Sequence, residues 1–233
     1  MDAAAAAPIC RVGGNAGVLI GLAYLAITGL YVVAGPVPDD GQGASYLAYL
    51  SGKEGTWWGI TGVSVLTDLL FLPLAVALYV AMRPANEVLA LLGGALLVLF
   101  AVLDLAVTWP SYAALIQLSG DFADLVDPAE RAATIAAANY AAAVLDSSLF
   151  AFYVIGVPAL GIGALGLVMA RSGMSAAGGY LGILTALLGM AAVFGPIFVD
   201  ALTALAIPTA VLTTVWTLIV GYRLIRLSRE PTG

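Results

Sequence analysis

Long apolar stretches separated by short polar segments set the pattern of this sequence. A helix needs ~20 apolar residues to cross the ~30 Å hydrocarbon core of a bilayer, and about six stretches reach that length. They cover residues 13–35, 57–82, 88–118, 128–170, 177–195 and 201–227. The pattern predicts an all-α, polytopic transmembrane helix bundle of about six spans, formed as a single domain over residues 1–233.

The fourth stretch is about twice as long as a span needs to be. Asp127, Pro128 and Glu130 begin it as an N-cap, a first-turn proline and a capping-box acid. From there, about 43 residues of helix would measure ~64 Å. We expect one long helix whose first part projects from the membrane and which kinks near Gly156 and Pro158. Two separate spans are the alternative.

The composition makes lipid the main solvent of the chain. Hydrophobic residues make up 62% and charged residues 9% of the 233 positions, and the mean hydropathy is +1.06. A soluble domain carries about a quarter charged residues. We therefore expect a multi-pass protein of the cell membrane in contact with membrane lipids. The net charge of −6 argues against a nucleic-acid partner.

The basic residues predict the orientation, because Lys and Arg concentrate in cytoplasmic loops. With the N-terminus inside, only Lys53 and Arg131 of the eight basic residues fall outside. The other basic residues fall inside: Arg11, Arg83, Arg171, Arg223, Arg226 and Arg229. Both termini are therefore expected in the cytoplasm. Trp57, Trp58 and Trp109 then fall near the outer interface, as in an aromatic belt.

Aspartates interrupt the apolar stretches at four positions: Asp68, Asp104, Asp146 and Asp200. A carboxylate at the centre of a membrane helix costs ~2.5–3.5 kcal/mol, so such residues face the interior of a bundle and mark functional sites by default. No Lys or Arg falls at the same predicted depth. We therefore expect a polar cavity open to the outside, in which the carboxylates are protonated or neutralised by a cation.

Neutral polar residues share helix faces with three of these aspartates. Ser64 lies four residues before Asp68, and Thr108 lies four residues after Asp104. Asn139, Asp146 and Tyr153 follow one another at intervals of seven residues. Both spacings place side chains on one face of a helix. The three faces predict one cavity lined by Asp68, Asp104, Asp146, Asn139, Thr108, Ser64 and Tyr153. Asp200 is expected at its outer mouth. Structural roles remain as alternatives. Each buried Asp could instead be protonated and hydrogen-bonded to a neighbouring helix, and Asp200 could simply cap the last helix.

Missing residue types exclude several classes of site. The chain has no His and a single Cys, Cys10, which excludes His-ligated cofactors and cysteine metal sites. No nucleotide-binding, metalloprotease or nucleophile-elbow motif occurs. No Lys lies within a predicted span to carry a Schiff base. We expect no enzyme activity, no cofactor and no metal centre.

These residues favour a small transporter, or a protein that binds a cation, a proton or a small molecule through its intramembrane aspartates. The alternative is a non-catalytic accessory or scaffolding subunit that binds lipid, pigment or a partner protein. The pairs Gly17/Gly21 and Gly178/Gly182 have the spacing of small residues at helix contacts in membranes. A homo-oligomer formed through such faces is a further prediction.

The segment Met169–Gly182 resembles a turn in a family of six-helix prokaryotic membrane proteins. It reads Arg171-Ser172-Gly173, and Gly179-x-x-Gly182 then opens the next span. The family is the DUF4386-like group, a domain of unknown function. Its Pro-Arg pair after the turn is replaced here by Ser175-Ala176. The resemblance implies a prokaryotic protein with a six-helix layout and implies no particular activity.

Overall fold

The structure is a computed structural model that describes residues 3–172 and 174–229, and most of these residues are helical. Gly173, in the turn that carries the family resemblance, lies outside the described residues. The α-helices of the described residues are α1 Ala3–Ala34, α2 Gly43–Leu50, α3 Glu54–Leu103, α4 Trp109–Ser119, α5 Pro128–Leu145, α6 Ser148–Ala151, α7 Val157–Ser172, α8 Ala176–Phe194 and α9 Ala206–Leu227.

Five helical segments among the described residues are long and apolar enough to cross a membrane. They are Ala6–Ala34, Glu54–Asp124, Ser148–Ser172, Ala176–Ile197 and Asp200–Leu227. The all-α class is confirmed, and these lengths and compositions are those of a membrane protein. α1 ends where the sequence predicts, because Gly35 takes the left-handed φ of +78° and donates its N–H to the carbonyl of Tyr31.

The longest of these segments is a hairpin of two antiparallel arms. Asn86 has an extended backbone (φ −162°, ψ 98°), and its side chain accepts a hydrogen bond from Leu89 N at 3.0 Å, as the N-cap of the second arm. The rings of Phe71 and Phe100 lie 5.4 Å apart, whereas about 29 residues of straight helix would separate them by ~43 Å. The predicted segments 57–82 and 88–118 therefore lie on opposite arms.

Two π-helical turns interrupt the bundle, at Asp104–Thr108 and Phe152–Gly156. In each case the residue after the turn donates its backbone N–H to the carbonyl five residues back. The next residue is a proline, Pro110 or Pro158. Proline has no N–H, and its ring clashes with the carbonyl four residues before it, so a wider turn relieves the clash. The position near Gly156 and Pro158, at which the sequence predicts a kink, coincides with the second π turn.

The segment 128–170, predicted as one long kinked helix, is interrupted in the structure. α5 ends at Leu145, and Ser147 has an extended backbone (φ −73°, ψ 146°). The hydroxyl of Ser147 accepts a hydrogen bond from Phe150 N at 3.1 Å and so caps a new helix. α5 is not among the candidate spans, which include Ser148–Ser172. The prediction of one continuous helix is therefore wrong, because the polar residues after Leu145 end one helix and begin another.

Glycines form the contact between α1 and α9. A Cβ added to Gly221 would lie 2.6 Å from Val18 N and 2.8 Å from Gly14 O, and one added to Gly17 would lie 3.0 Å from Gly221 Cα. The two backbones can touch only because side chains are missing at these positions. Gly182 of α8 approaches α7 in the same way. These small residues thus pack within the chain, and the homo-oligomer stays a prediction.

One end of the bundle carries a cap made of α2, α4 and α5. Tyr46, Leu47 and Leu50 of α2 pack with apolar residues of α4 and α5 in the cap core. Trp57, at the start of the hairpin, stacks on Tyr112 of α4 with ring centroids 4.8 Å apart. The cap is therefore joined to the first arm of the hairpin by an aromatic contact as well as by the chain.

Asp40, in the loop that leads into α2, gives a prediction of acid sensitivity. The hydroxyl of Ser45 donates to its carboxylate at 2.6 Å and the backbone N–H of Gln42 at 3.0 Å, and these bonds hold the pKa of Asp40 below its usual value of 3.8. A carboxylate with a lowered folded-state pKa stabilises the fold above its unfolded-state pKa. That stabilisation is lost as the pH falls through the folded-state value.

We therefore expect Ser45→Ala to lower the thermal stability slightly at neutral pH and to have no effect once Asp40 is protonated. Ser51→Ala, at the other end of α2, is the control. The measurement is thermal unfolding of both variants at neutral and at acid pH. An equal effect of Ser45→Ala at both pH values would contradict the assignment.

Candidate functional site

A cavity of about 590 Å³ lies between α1, α9 and the hairpin. α1 and α9 touch at the Gly17–Gly221 contact, and the cavity lies on the side of that contact that faces the cap. Tyr24 and Tyr31 of α1 line one wall. Asp68 and Asp104 line the cavity from the two arms of the hairpin. The cavity therefore gathers polar side chains from three parts of the chain.

Asp68 lies on the first arm and is 2% exposed. Its Oδ2 accepts a hydrogen bond of 2.6 Å from Nε1 of Trp109, which follows the π turn of the second arm. The bond joins residues that are 41 positions apart and fixes the carboxylate in the cavity wall. Ser64, one turn before Asp68, is also buried and lines the cavity. Ser64 and Asp68, which the sequence places on one face of the second span, therefore both face the cavity.

Asp104 begins the first π turn and is 5% exposed. Its Oδ1 is buried and has no hydrogen-bond partner among the described residues. A buried polar atom without a partner costs ~1–3 kcal/mol, and more if it is charged. Such atoms in native structures call for an explanation, such as strain, a functional role, or a water or ion. Oδ1 of Asp104 is enclosed by protein atoms, so what Asp104 contributes to the site is a buried carboxyl group in the wall of the cavity.

A hydrogen bond between hydroxyls joins the two π turns. Oγ1 of Thr108 and the phenol oxygen of Tyr153 lie 3.2 Å apart, and both residues are buried. Thr108 ends the first π turn and Tyr153 lies in the second. π turns are often retained at functional sites. The two interruptions of helical geometry are therefore coupled directly, next to Asp104.

Three of the predicted site residues lie elsewhere. Asn139 of α5 accepts a hydrogen bond from Gly43 N at 3.0 Å and so caps α2. Asp146 is exposed at the end of α5, beside Gly41 of the loop before α2. Asp200 is exposed at the start of the last candidate span and does not line the cavity. The cavity predicted from seven residues therefore keeps the side chains of Asp68, Asp104 and Ser64, with Thr108 and Tyr153 behind its wall.

Sequence reasoning missed several residues of the cavity wall. Trp109 was assigned to an aromatic belt, and Tyr24 and Tyr31 would be assigned to packing by hydrophobicity alone. Their role depends on which helices become neighbours, which local sequence does not show. The threonines of α1 and α9 in the wall carried at most a weak signal, because only Thr209 and Thr213 have the four-residue spacing of one helix face. The wall threonines of these two helices are Thr28, Thr209, Thr213 and Thr214.

The hydroxyl protons of these threonines are all donated to the backbone of their own helices. Thr28 donates to the carbonyl of Tyr24, and Thr209, Thr213 and Thr214 likewise donate to carbonyls of the preceding turn, at 2.7–2.9 Å. Thr67 of the hairpin donates to the carbonyl three residues before it at 2.6 Å. What a threonine of this kind can offer to a ligand is the lone pairs of its oxygen. The cavity is therefore rich in hydrogen-bond acceptors.

No group of three or more His, Cys, Asp or Glu side chains that could hold a metal ion occurs within residues 3–172 and 174–229. Asp68 and Asp104 alone offer fewer ligands than a fully coordinated calcium or magnesium ion takes up. Neither family models, nor curated proteins, nor solved structures give a match to this chain. The resemblance of Met169–Gly182 to the DUF4386-like group stays a prediction.

Proposed function

We propose that this chain is a protein of the cell membrane that binds a proton or another cation at Asp68 and Asp104, in the manner of a small transporter. The observation that carries the proposal is that two buried carboxylates share one cavity. None of the described residues that line this cavity is Lys or Arg. Ionised carboxylates without a partner are costly in a low-dielectric interior, so protonation or a bound cation must offset their charge.

The hairpin supports six spans with both termini in the cytoplasm. Its two arms, added to the other four candidate spans, provide the six crossings. A Cβ on Gly13 would meet Ala77, and one on Gly14 would meet Ile225, so the start of α1 and the end of α9 lie beside the hairpin turn. Basic residues cluster at this end, which the positive-inside rule assigns to the cytoplasm. They include Arg11, Arg83, Arg223 and Arg226. In this orientation the cap faces outwards.

The cavity is also the reason to favour cation binding over an accessory role. A sealed bundle, with each aspartate bonded to a neighbouring helix, would suit a scaffolding subunit. Asp68 fits this description in part, because it accepts a hydrogen bond from Trp109. Asp104 does not, because its Oδ1 has no hydrogen-bond partner among the described residues. The glycine contact between α1 and α9 closes the cavity towards the proposed cytoplasmic side. A transporter needs such a closed contact on one side of its binding site.

Infrared difference spectroscopy of the protein in lipid nanodiscs tests the proposal. A protonated carboxylic acid has a carbonyl stretch that is absent from a carboxylate and from an amide side chain of Asn. We expect this band to decrease in the wild type when the pH is raised or when a cation is added at constant pH. Asp68→Asn and Asp104→Asn should each remove part of the change, because each removes one of the two exchanging carboxyl groups.

Asp200→Asn is the matched control, because the same chemical change is made at an exposed carboxylate outside the cavity. Its spectrum should change with pH and cation as the wild-type spectrum does in the buried carboxyl region. If the Asp68→Asn/Asp104→Asn double variant kept the full spectral change, these two residues would not be the binding site. A wild-type spectrum that responds to neither pH nor cation would also reject the proposal.

A further inference from the structure

The size and the walls of the cavity limit the kind of cation it can take. A volume of about 590 Å³ falls within the ~300–1,000 Å³ typical of sites for small organic molecules. Such sites are mostly apolar with a few convergent polar groups, and here Asp68 and Asp104 are the only charged residues among the described lining residues. A bare inorganic ion would leave most of this space unfilled.

Most polar groups of the cavity can accept hydrogen bonds from a ligand. Asp68 and Asp104 carry carboxyl groups, and the indole N–H of Trp109 is already donated to Asp68. The wall threonines, among them Thr28 and Thr209, donate their protons to backbone carbonyls. The hydroxyl groups of Tyr24, Tyr31 and Ser64, which also line the cavity, can donate or accept. A protonated amine brings the positive charge that this surface lacks, together with N–H groups that the carboxyl and threonine oxygens can accept.

Aromatic rings supply the remaining complementarity. Tyr24, Tyr31, Phe71, Phe100 and Trp109 all line the cavity. The rings of Phe71 and Phe100 meet edge to face, with centroids 5.4 Å apart, and Phe71 also contacts Tyr24. Faces of aromatic rings attract cations, and aromatic cages for ammonium groups are a recurrent use of this attraction. The rings also accept an apolar ligand body.

The cavity reaches the surface of the bundle between α1 and α9. Leu25, Ile207, Val211 and Val215 line it and are 57%, 72%, 56% and 40% exposed, respectively. All four are apolar and lie on candidate membrane spans. In a bilayer such an opening faces lipid. A ligand that enters there has to be soluble in the membrane and must carry its charge on one end.

We propose that the cavity binds an amphiphilic primary or secondary ammonium ion, with its N–H groups at Asp68 and Asp104 and its apolar body between α1 and α9. This inference rests on the proposed cation-binding function and names the substrate class of the same site. One ammonium ion replaces one proton of the Asp68 and Asp104 carboxyl groups, and that proton passes to water. Binding is therefore an exchange in which charge and protons balance.

Phenylbutylamine and phenylbutanol form a matched pair of probes, since they share an apolar body and differ in the ammonium group. Their binding to the protein in lipid nanodiscs is measured by isothermal titration calorimetry, with empty nanodiscs as the blank for partitioning. We expect the amine to bind at least about tenfold more tightly than the alcohol, a ratio equivalent to about 1.4 kcal/mol. Its trimethylammonium derivative, which has the charge but no N–H, should bind less tightly than the amine.

Asp68→Asn and Asp104→Asn should each weaken binding of the amine by about tenfold or more, since each removes a charge partner. Asp200→Asn should leave the affinity unchanged. Equal affinity for amine and alcohol, or full amine affinity in the double Asn variant, would overturn the inference. If the amine does not bind while the infrared response to pH persists and depends on Asp68 and Asp104, only the substrate class is wrong. If both responses are absent, the proposed function fails as well.

Discussion

Replacing Gly221 by Ala is expected to destabilise the protein by about 1–3 kcal/mol, the usual range for an overpacked contact. The added Cβ would lie 2.6 Å from Val18 N and 2.8 Å from Gly14 O. Both are backbone atoms, so no side chain can rotate away, and α1 and α9 must separate along their contact. The same separation opens the end of the cavity that the glycines close.

Cys10 is a natural reporter for this separation. It is the single cysteine of the chain, it is buried, and it lies on α1 one turn before Gly14. The reaction of its thiol with a maleimide fluorophore, followed as the temperature rises, measures when α1 leaves its neighbours. In Gly221→Ala the reaction should begin at a lower temperature than in the wild type.

Gly29→Ala on α1 is the matched control for this substitution. A Cβ at Gly29 meets nothing within 4 Å, and Ala is favoured over Gly in a helix by roughly 1 kcal/mol. The control should therefore be neutral or stabilising, opposite in sign to Gly221→Ala. If Cys10 of Gly221→Ala were labelled from the same temperature as in the wild type, α1 and α9 would have room for the added Cβ. The close glycine contact would then not contribute to stability as expected.

The local pattern of the sequence was sufficient to place Asp68 and Asp104 in the wall of one cavity. Asp68 and Asp104 interrupt apolar segments that have no other way to accommodate a carboxylate than to face the interior. Because the two segments are joined by a short connection, they pack as neighbours, and their polar faces meet. Both steps use only residue type, helical period and chain connectivity. These are the quantities that a single sequence contains.

The third polar face failed because its helix is not continuous. The interval of seven residues from Asn139 to Asp146 and Tyr153 indicates one face only if the helical period is unbroken. Ser147 caps a new helix, and the π turn that contains Tyr153 changes the period again. Asp146 and Ser147 are residue types that favour helix ends, which was a signal against a continuous helix. The prediction of one long helix followed the continuous hydropathy of residues 128–170 instead of these two residue types.

The cap and the cavity opening could not be predicted from local pattern. α2 has eight residues and lies outside the apolar stretches, yet its Tyr46, Leu47 and Leu50 are buried. Their burial depends on α5, which lies about 90 residues away and meets α2 through the bond between Asn139 and Gly43. Contacts at such sequence separation carry no periodic signal. The same is true of Trp109, whose partner Asp68 is 41 residues distant.

Trp109→Phe is expected to destabilise the protein by about 1–2 kcal/mol, because it removes the N–H that is donated to Oδ2 of Asp68. Phe keeps an aromatic ring in the cavity wall, so the loss reports mainly on the hydrogen bond. Trp58→Phe is the control, since Trp58 is on the same hairpin and is 44% exposed. Thermal unfolding followed through Cys10 labelling provides the measurement for both variants.

A double-mutant cycle then identifies the partner through which Trp109 acts. In an Asp68→Leu background there is no carboxylate to lose its donor, so Trp109→Phe should have a much smaller effect than in the wild type. In an Asp68→Asn background the effect should persist, because the amide oxygen of Asn still accepts a hydrogen bond. Equal effects of Trp109→Phe in the wild-type and Asp68→Leu backgrounds would mean that the indole stabilises the fold by packing alone. The two arms of the hairpin would then lack the polar connection that holds the carboxylate of Asp68 in the cavity.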